Sequence, residues 1–268
     1  MSAFVINSYA FGGEDPDAKA YLDAVETADT QALEAAVRKV VDDFVKGLKA
    51  DGIWSVIKAA CILAGARTLT GALTPLVGSA PTNISGNFVS GDYNRETGLV
   101  GNASNKVINT NIQDTAISPV GAIGCYVTTP DTRTNWSLMG SQGTGGGAST
   151  NEYTLQRFTT DRSAFGGNVP NASSASIVLS GPHTSSRQSN SQFDRVTGSS
   201  LAHEETSSVS PTTRGQSCYV FARNGSSPNY TNARIAAYWL FEGSHTRSNI
   251  ISFHARVTTL ITDLDAAI

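Results

Sequence analysis

Two hydrophobic periodicities divide the chain. Up to about residue 50, apolar side chains recur every three or four positions. Leu33, Val37, Val40, Val41, Phe44, Val45 and Leu48 share one face of a helix. A helix precedes it in "EDPDAKAYLDAVETAD", where Asp15 can cap, Pro16 suits the first helical position and Asp17 complements the dipole. Thr30 is the expected cap of the second helix and Gly52 its expected end. A third apolar segment follows, with Trp54, Val56, Ile57, Ile62 and Leu63. Around residue 66 the pattern changes to short or alternating apolar runs between clusters of Ser, Thr, Asn and Gly. Candidate strands are 121–128, 151–159, 174–180, 216–223 and 233–242. In the last, Ile235, Ala237, Trp239 and Phe241 alternate with Ala236, Tyr238 and Leu240. The chain then returns to helix, with Ile250, Phe253, Val257, Leu260, Ile261 and Leu264 along one stripe. That helix is expected to pack on the strands or in a subunit contact.

Many short strands separated by turn clusters predict a mainly β protein, an antiparallel jelly-roll β-sandwich with an N-terminal helical segment and a C-terminal helix. The expected division is an arm and helices over 1–66 and a sandwich with its terminal helix over 67–268. Composition agrees. Charged residues make up 15% of the chain, where about 25% is usual, and turn-forming Ser, Thr, Asn and Gly replace them. "GSQGTGGGAST" (140–150) reads as a loop.

Several function classes lose ground here. The net charge is −3 with no Lys/Arg block, which argues against nucleic-acid binding. No apolar run approaches the roughly eighteen residues of a membrane-spanning helix. The N-terminus lacks the basic region of a signal peptide. Cys61, Cys125 and Cys218 are odd in number and widely spaced, so buried thiols in a reducing cytoplasm are expected rather than disulfides or a metal site. No cofactor is expected.

Catalytic constellations are sparse. "HEETS" (203–207) begins like a zinc-protease motif but lacks the second histidine. His254 reads as a surface or interface residue. "GTGGG" lacks the spacing of a dinucleotide loop. Jelly-roll glycosidases present paired carboxylates on a strand, whereas Glu152 and Glu242 lie at strand ends and Asp194 stands alone. Serine is abundant, so a triad is neither marked nor excluded by order alone. Sugar binding needs exposed aromatics, Asn and Arg rather than carboxylate pairs. Trp136, Tyr153, Arg157 and Tyr230 are the candidates, with ordinary packing as the alternative for each. For partner binding, the candidates are Leu33, Val37, Val41 and Phe44 on the helical face, whose alternative role is core, and Phe4 and Ile6 in the arm "FVINSYAF". That apolar segment precedes Gly12-Gly13 and could add a strand to a neighbour's sheet edge.

Two stretches carry a family resemblance. "GIWSVIKAACILAGA" (52–66) followed by "FVSGDYNRETGLVGNASNKVINTN" (88–111) resembles a pattern in structural proteins of tailed bacteriophages that carry a concanavalin A-like, laminin-G-like jelly roll. In it, a helix with a Trp precedes a small apolar strand, then a Gly-apolar-x-Gly-Asn-small-Ser segment, here Gly98 to Ser104. "RIAAYWLFEG" with "FHARVTTLITDLDAAI" is similar to the family's closing strand and terminal helix. The resemblance implies a non-enzymatic virion structural protein made in the host bacterial cytoplasm. It would contact capsid or tail proteins and form a homo-oligomer, such as a trimer, that follows particle symmetry. Capsid decoration is one expectation. A tail-fibre or baseplate protein that binds a host-surface glycan is the other. The calcium ligands of the family's lectin relatives have no match in this sequence.

Overall fold

The structure is a computed structural model, and it describes residues 13–117, 119–142, 152–157, 161–165, 180–189, 192–206, 215–226 and 228–268. In chain order the elements begin with α1 (Pro16–Asp29), α2 (Ala35–Ala50), β1 (Ile57–Ile62), α3 (Leu69–Ala72), β2 (Pro75–Val77), β3 (Thr82–Asn83) and β4 (Tyr93–Asn94). There follow β5 (Gly98–Val100), β6 (Ile108–Gln113), β7 (Gly121–Thr129), β8 (Trp136–Gln142), β9 (Glu152–Arg157) and β10 (Asp161–Phe165). The last are β11 (Gly181–Ser189), β12 (Gln192–Thr197), β13 (Ser200–Thr206), β14 (Ser217–Val220), β15 (Arg223–Asn224), β16 (Arg234–Glu242) and α4 (Arg247–Ala267). The candidate strand at 174–180 lies almost wholly outside the described residues.

The strands form two sheets. One runs β13-β12-β11-β7-β16-β1-β2, with β5 also on β16 and β4 on β5. The other runs β10-β9-β8-β14-β6-β3, and β15 joins β8 in parallel. The first sheet is the middle of three layers. Phe193, Ile123, Cys125, Tyr238 and Leu240 point into the space between the sheets. Val196, Ala122, Trp239 and Phe241 point the other way, against α1, α2 and α4. Phe253 of α4 is the hub of that second core: its ring centroid lies 4.9 Å from Trp239, 5.1 Å from Phe241 and 6.1 Å from Phe44. Aromatic edges meeting faces add to the apolar burial.

Burial on both faces explains one departure from the sequence pattern. Residues 57–62 are a strand paired with β16, from Ile57 opposite Phe241 to Ile62 opposite Ala237, and not part of a helix. A strand covered on both sides needs no polar alternation, so "IKAACI" reads like a buried helix. β1 is an inner strand of its sheet, between β16 and β2. The alternation expected in β16 is also interrupted. The register shifts between Ile235 and Ala237, which sends Ile235 to the inter-sheet core and Ala237 to the helical side.

The helix ends follow their capping chemistry. Asp15 accepts from the Asp17 amide, with Pro16 in the first turn. Thr30 closes α1 in the left-handed region instead of opening α2, whose N-cap is Glu34. Gly52 follows α2 at φ +69°. α4 starts on a capping box between Thr246 and Asn249.

Candidate functional site

Three loops meet at one end of the sandwich: 101–106, 130–135 and 228–233. Backbone bonds splice them. The Gly101 and Ala103 amides donate to the Ala233 and Thr231 carbonyls, both at 3.0 Å, and the Ser137 amide donates to Asn229 O at 2.6 Å. Gly101 has no room for a side chain, since a Cβ there would stand 2.2 Å from Thr231 O. Within the first loop Asn102 Oδ1 accepts from the amides of Ser104, Asn105 and Lys106 at 3.0–3.2 Å, an Asn-closed turn.

Asp131 holds the other two loops together. Its carboxylate is fully buried. It accepts from the Arg133 amide at 2.9 Å, Arg133 Nε at 3.0 Å, Thr231 Oγ1 at 2.9 Å and the Asn232 amide at 3.0 Å. Arg133 Nη2 adds a bond at 2.5 Å and also donates to the Tyr230 carbonyl at 3.2 Å. Burial alone would raise the Asp131 pKa; these donors outweigh it and leave the group below its ordinary value. Four of the seven non-glycine residues with positive φ among the described residues lie in or beside this end: Ala103, Asn135, Phe221 and Asn229. Such backbone persists where surrounding bonds over-determine it. The outer surface carries Asn102, Asn105, Thr132, Arg133, Asn135 and Asn232, all exposed, with Tyr230 half-buried among them. Carboxamides, hydroxyls, one guanidinium and an aromatic ring are the groups that hydrogen-bond and stack on polyhydroxylated ligands.

The sequence candidates divide accordingly. Tyr230 lies in this rim. Trp136 and Tyr153 do not project to solvent, both being 0% exposed in the inter-sheet core. The Trp136 indole N–H is satisfied internally by Arg133 O at 2.9 Å. Their assignment as sugar contacts is corrected: both rings face the interior. Arg157 pairs with Trp136 across β8 and β9 and is half-buried. Leu33, Val37, Val41 and Phe44 are buried in the core between the helices and the sheet. Their docking role is corrected as well, because the apolar stripe of α2 is already covered by its own chain. Phe4, Ile6 and "GTGGG" lie outside the described residues. His203 lies on β13, a strand. Glu242 is ion-paired with Lys58 at 2.8 Å.

A second polar cluster joins α4 to the sheet, and the sequence pattern did not announce it. Trp239 Nε1 donates to Thr184 Oγ1 at 3.1 Å. The Thr184 hydroxyl donates to His254 Nε2 at 2.7 Å, and His254 Nδ1 donates to Gly198 O at 2.6 Å. His254 is thus an interior residue and not a surface one. The arrangement recurs next door. Ser186 Oγ meets His245 Nε2 at 2.8 Å, and His245 Nδ1 donates to Gly243 O at 3.0 Å. Asp194, buried, receives Arg247 Nε and Nη2 at 2.9 and 3.1 Å. These hydroxyl–imidazole pairs match catalytic ones only in part. Thr184 and Ser186 are 0% exposed, and a backbone carbonyl rather than a carboxylate orients each ring. Burial pushes the His254 pKa down to about 3 and lowers that of His245. Both rings are therefore neutral cross-links at pH 7. The position of His254 between Ile250 and Val257, on the apolar stripe, was the available signal. The thiols of Cys61, Cys125 and Cys218 are buried and raised in pKa by that burial. Among the described residues no group of His, Cys, Asp and Glu has the arrangement of a metal site, and no helix is long and apolar enough to cross a membrane.

Fold and site together define a β-sandwich with one sheet covered by helices and a polar loop rim at one end. No protein-family model matches the sequence, and no curated protein gives a significant match. Solved structures are similar in fold. A mutant of Trypanosoma rangeli sialidase displaying trans-sialidase activity aligns with a TM-score of 0.51 at 10% identity, over 82% of this chain and 39% of that one. Ruminococcus gnavus IT-sialidase CBM40 aligns at 0.42 and 11% identity, over 52% of this chain and 85% of that one. Domain 4 of AbnA, a GH43 extracellular arabinanase from Geobacillus stearothermophilus in complex with arabinotriose, aligns at 0.44 and 12% identity, over 74% and 98%. At these identities the likeness is one of fold.

Proposed function

We propose that this protein is a non-enzymatic structural component of a tailed-bacteriophage virion, exposed on the particle as a capsid decoration. One observation carries the reading. The two distant stretches that resemble phage structural proteins, 52–111 and 233–268, are strand partners: β1 and β5 both pair with β16. The resembling stretches thus lie side by side in one sheet, with α4 packed on it. Gly98 and Gly101, which anchor the resembling motif, sit where the backbone of 231–236 leaves no room for a Cβ. That is what a folding signature requires. The test is immunogold labelling of intact virions with antibody to the purified protein. Gold over the head supports decoration. An absence of gold, with a working antibody control, removes the proposal.

The loop rim favours a second reading, a tail-fibre or baseplate protein that recognises a host-surface glycan. Its exposed amides, Arg133 and Tyr230 have the chemistry for sugar hydroxyls and are held by a buried Asp131 rather than left floppy. Gold at the tail tip, with saturable glycan binding abolished by Arg133→Ala and Tyr230→Ala, would put this reading first.

A further inference from the structure

We infer that residues 245–254, the first half of α4 with its entry turn, form an acid-released latch that opens while the sandwich beneath stays folded. Two parallel hydrogen-bond relays from β11 hold it. In one, Trp239 Nε1 donates to Thr184 Oγ1, Thr184 to His254 Nε2, and His254 Nδ1 to Gly198 O. In the other, Gln188 Nε2 donates to Ser186 Oγ at 2.9 Å, Ser186 to His245 Nε2, and His245 Nδ1 to Gly243 O. Each relay has a fixed direction. An indole or amide N–H only donates and a backbone carbonyl only accepts, so both hydroxyl protons point at Nε2. A proton on either ring sets N–H against O–H. The hydroxyl can turn to accept, but its own proton then loses its acceptor, and Thr184 and Ser186 are 0% exposed.

The groups around the rings give a second positive charge little support. On β11, a charge on His183 would oppose one on His254. Asp194 on β12 favours a charge on His245, but it is already bonded to Arg247 and Gln188. Glu204 of β13 stands opposite Asp194 in register. From β16 the rings of Trp239 and Phe241 meet the imidazoles edge-on. Tyr126 of β7, bonded to Thr258, is raised in pKa by burial and stays neutral. Acid therefore acts on this half of the helix. Beyond it, α4 is held by Val257, Leu260, Ile261 and Leu264 in the apolar core and by Arg256 on Asp51 at 2.9 and 3.1 Å. Arg256 lowers the Asp51 pKa, so that pair is still charged at pH 5. A hinge stands at the other end, where Gly243 is exposed at φ +68° and Ser244 is exposed. Two turns of helix without a support do not stay helical. Opening bares Phe253, Trp239 and Phe241, while the sheet keeps its other face in the inter-sheet core. An opened ring takes up its proton in water. The opening constant should therefore rise about tenfold per pH unit below 6.5 for one ring, and up to about a hundredfold for two. The latch rests on neither functional reading.

The test is native-state hydrogen exchange on the full chain from pH 7 to 5, corrected for intrinsic rates, at several low urea concentrations. The amides of residues 251–258 should open with a smaller urea dependence than those of β6 and β14. Their protection should fall by about tenfold or more per unit below pH 6.5. His254→Gln, which cannot take a charge, should lose about a tenfold-per-unit share of that fall; if it does not fold, the wild-type urea and pH dependences decide alone. Protection of 251–258 that stays flat with pH would overturn the inference. So would a single urea dependence shared by 251–258 and β14 at every pH, because the helix would then open only with the whole fold.

Discussion

Acid should loosen this protein well before its carboxylates protonate, and His254 is the reason. The ring is 1% exposed and cross-links α4 to Thr184 and Gly198 as a neutral group. Its pKa is about 3 in the fold, against about 6.5 in an unfolded chain. Below pH 6.5 the unfolded state takes up a proton that the folded state refuses. The stabilisation is therefore complete above pH 6.5 and declines as pH falls toward 3. The slope is about 1.4 kcal/mol per pH unit for one such ring, or a melting temperature lower by about 3–5 °C per unit in a chain of this size. His245 shifts in the same direction and adds to the slope. Carboxylates enter later: Glu34, held down to about 2 chiefly by Arg95, loses its contribution only below about pH 4.5. The window from pH 6.5 to 5 thus belongs to the imidazoles. Urea unfolding of wild type and His254→Gln across that window is the assay. The variant should start less stable by about 1–3 kcal/mol, from the bond it cannot replace, and its slope should be shallower by about 1.4 kcal/mol per unit. A wild type whose stability is flat from pH 6.5 to 5, or a variant that keeps the full slope, would rule out the neutral cross-link as the acid-sensitive element.

Other substitutions separate the core from the rim. Asp131→Asn leaves five donors facing a neutral amide and should cost about 2–4 kcal/mol in urea unfolding; a change under about 0.5 kcal/mol would contradict the clamp. Gly98→Ala places a Cβ 2.3 Å from Ile235 O at φ +91° and should cost at least about 2 kcal/mol, read as a lowered melting temperature. Trp136→Ala should lose about 3–5 kcal/mol, read as a lowered melting temperature. Tyr230→Ala, by contrast, should leave the melting temperature nearly constant while weakening glycan binding under the second functional reading.

α2 and α4 were legible from their apolar stripes and α1 from its capping residues, while the single turn of α3 was not. β7, β9 and β16 were legible because they combine β-branched or aromatic residues with nearby turn signals. β1 was not, since burial on both faces erases the alternation that marks a strand. β8 was hidden for a related reason: Ser137 and Ser141 are polar yet fully buried, so "WSLMGSQ" looks like a surface stretch. Trp136 illustrates the limit for site residues. An aromatic among Asn and Ser suggests a sugar contact, but strand parity turns this one inward. The rim itself depends on closure between residues about a hundred positions apart, such as Asp131 with Thr231. Only the short-range part of it, Asp131 two residues before Arg133, stood in the sequence.

If this sandwich is part of a particle, it must travel with the particle. Quantitative mass spectrometry of gradient-purified virions is the decisive measurement. The chain should sediment with the particles at a constant ratio to the major capsid protein, and that ratio should survive a second gradient. Presence in the infected-cell lysate but absence from purified particles would exclude a virion role.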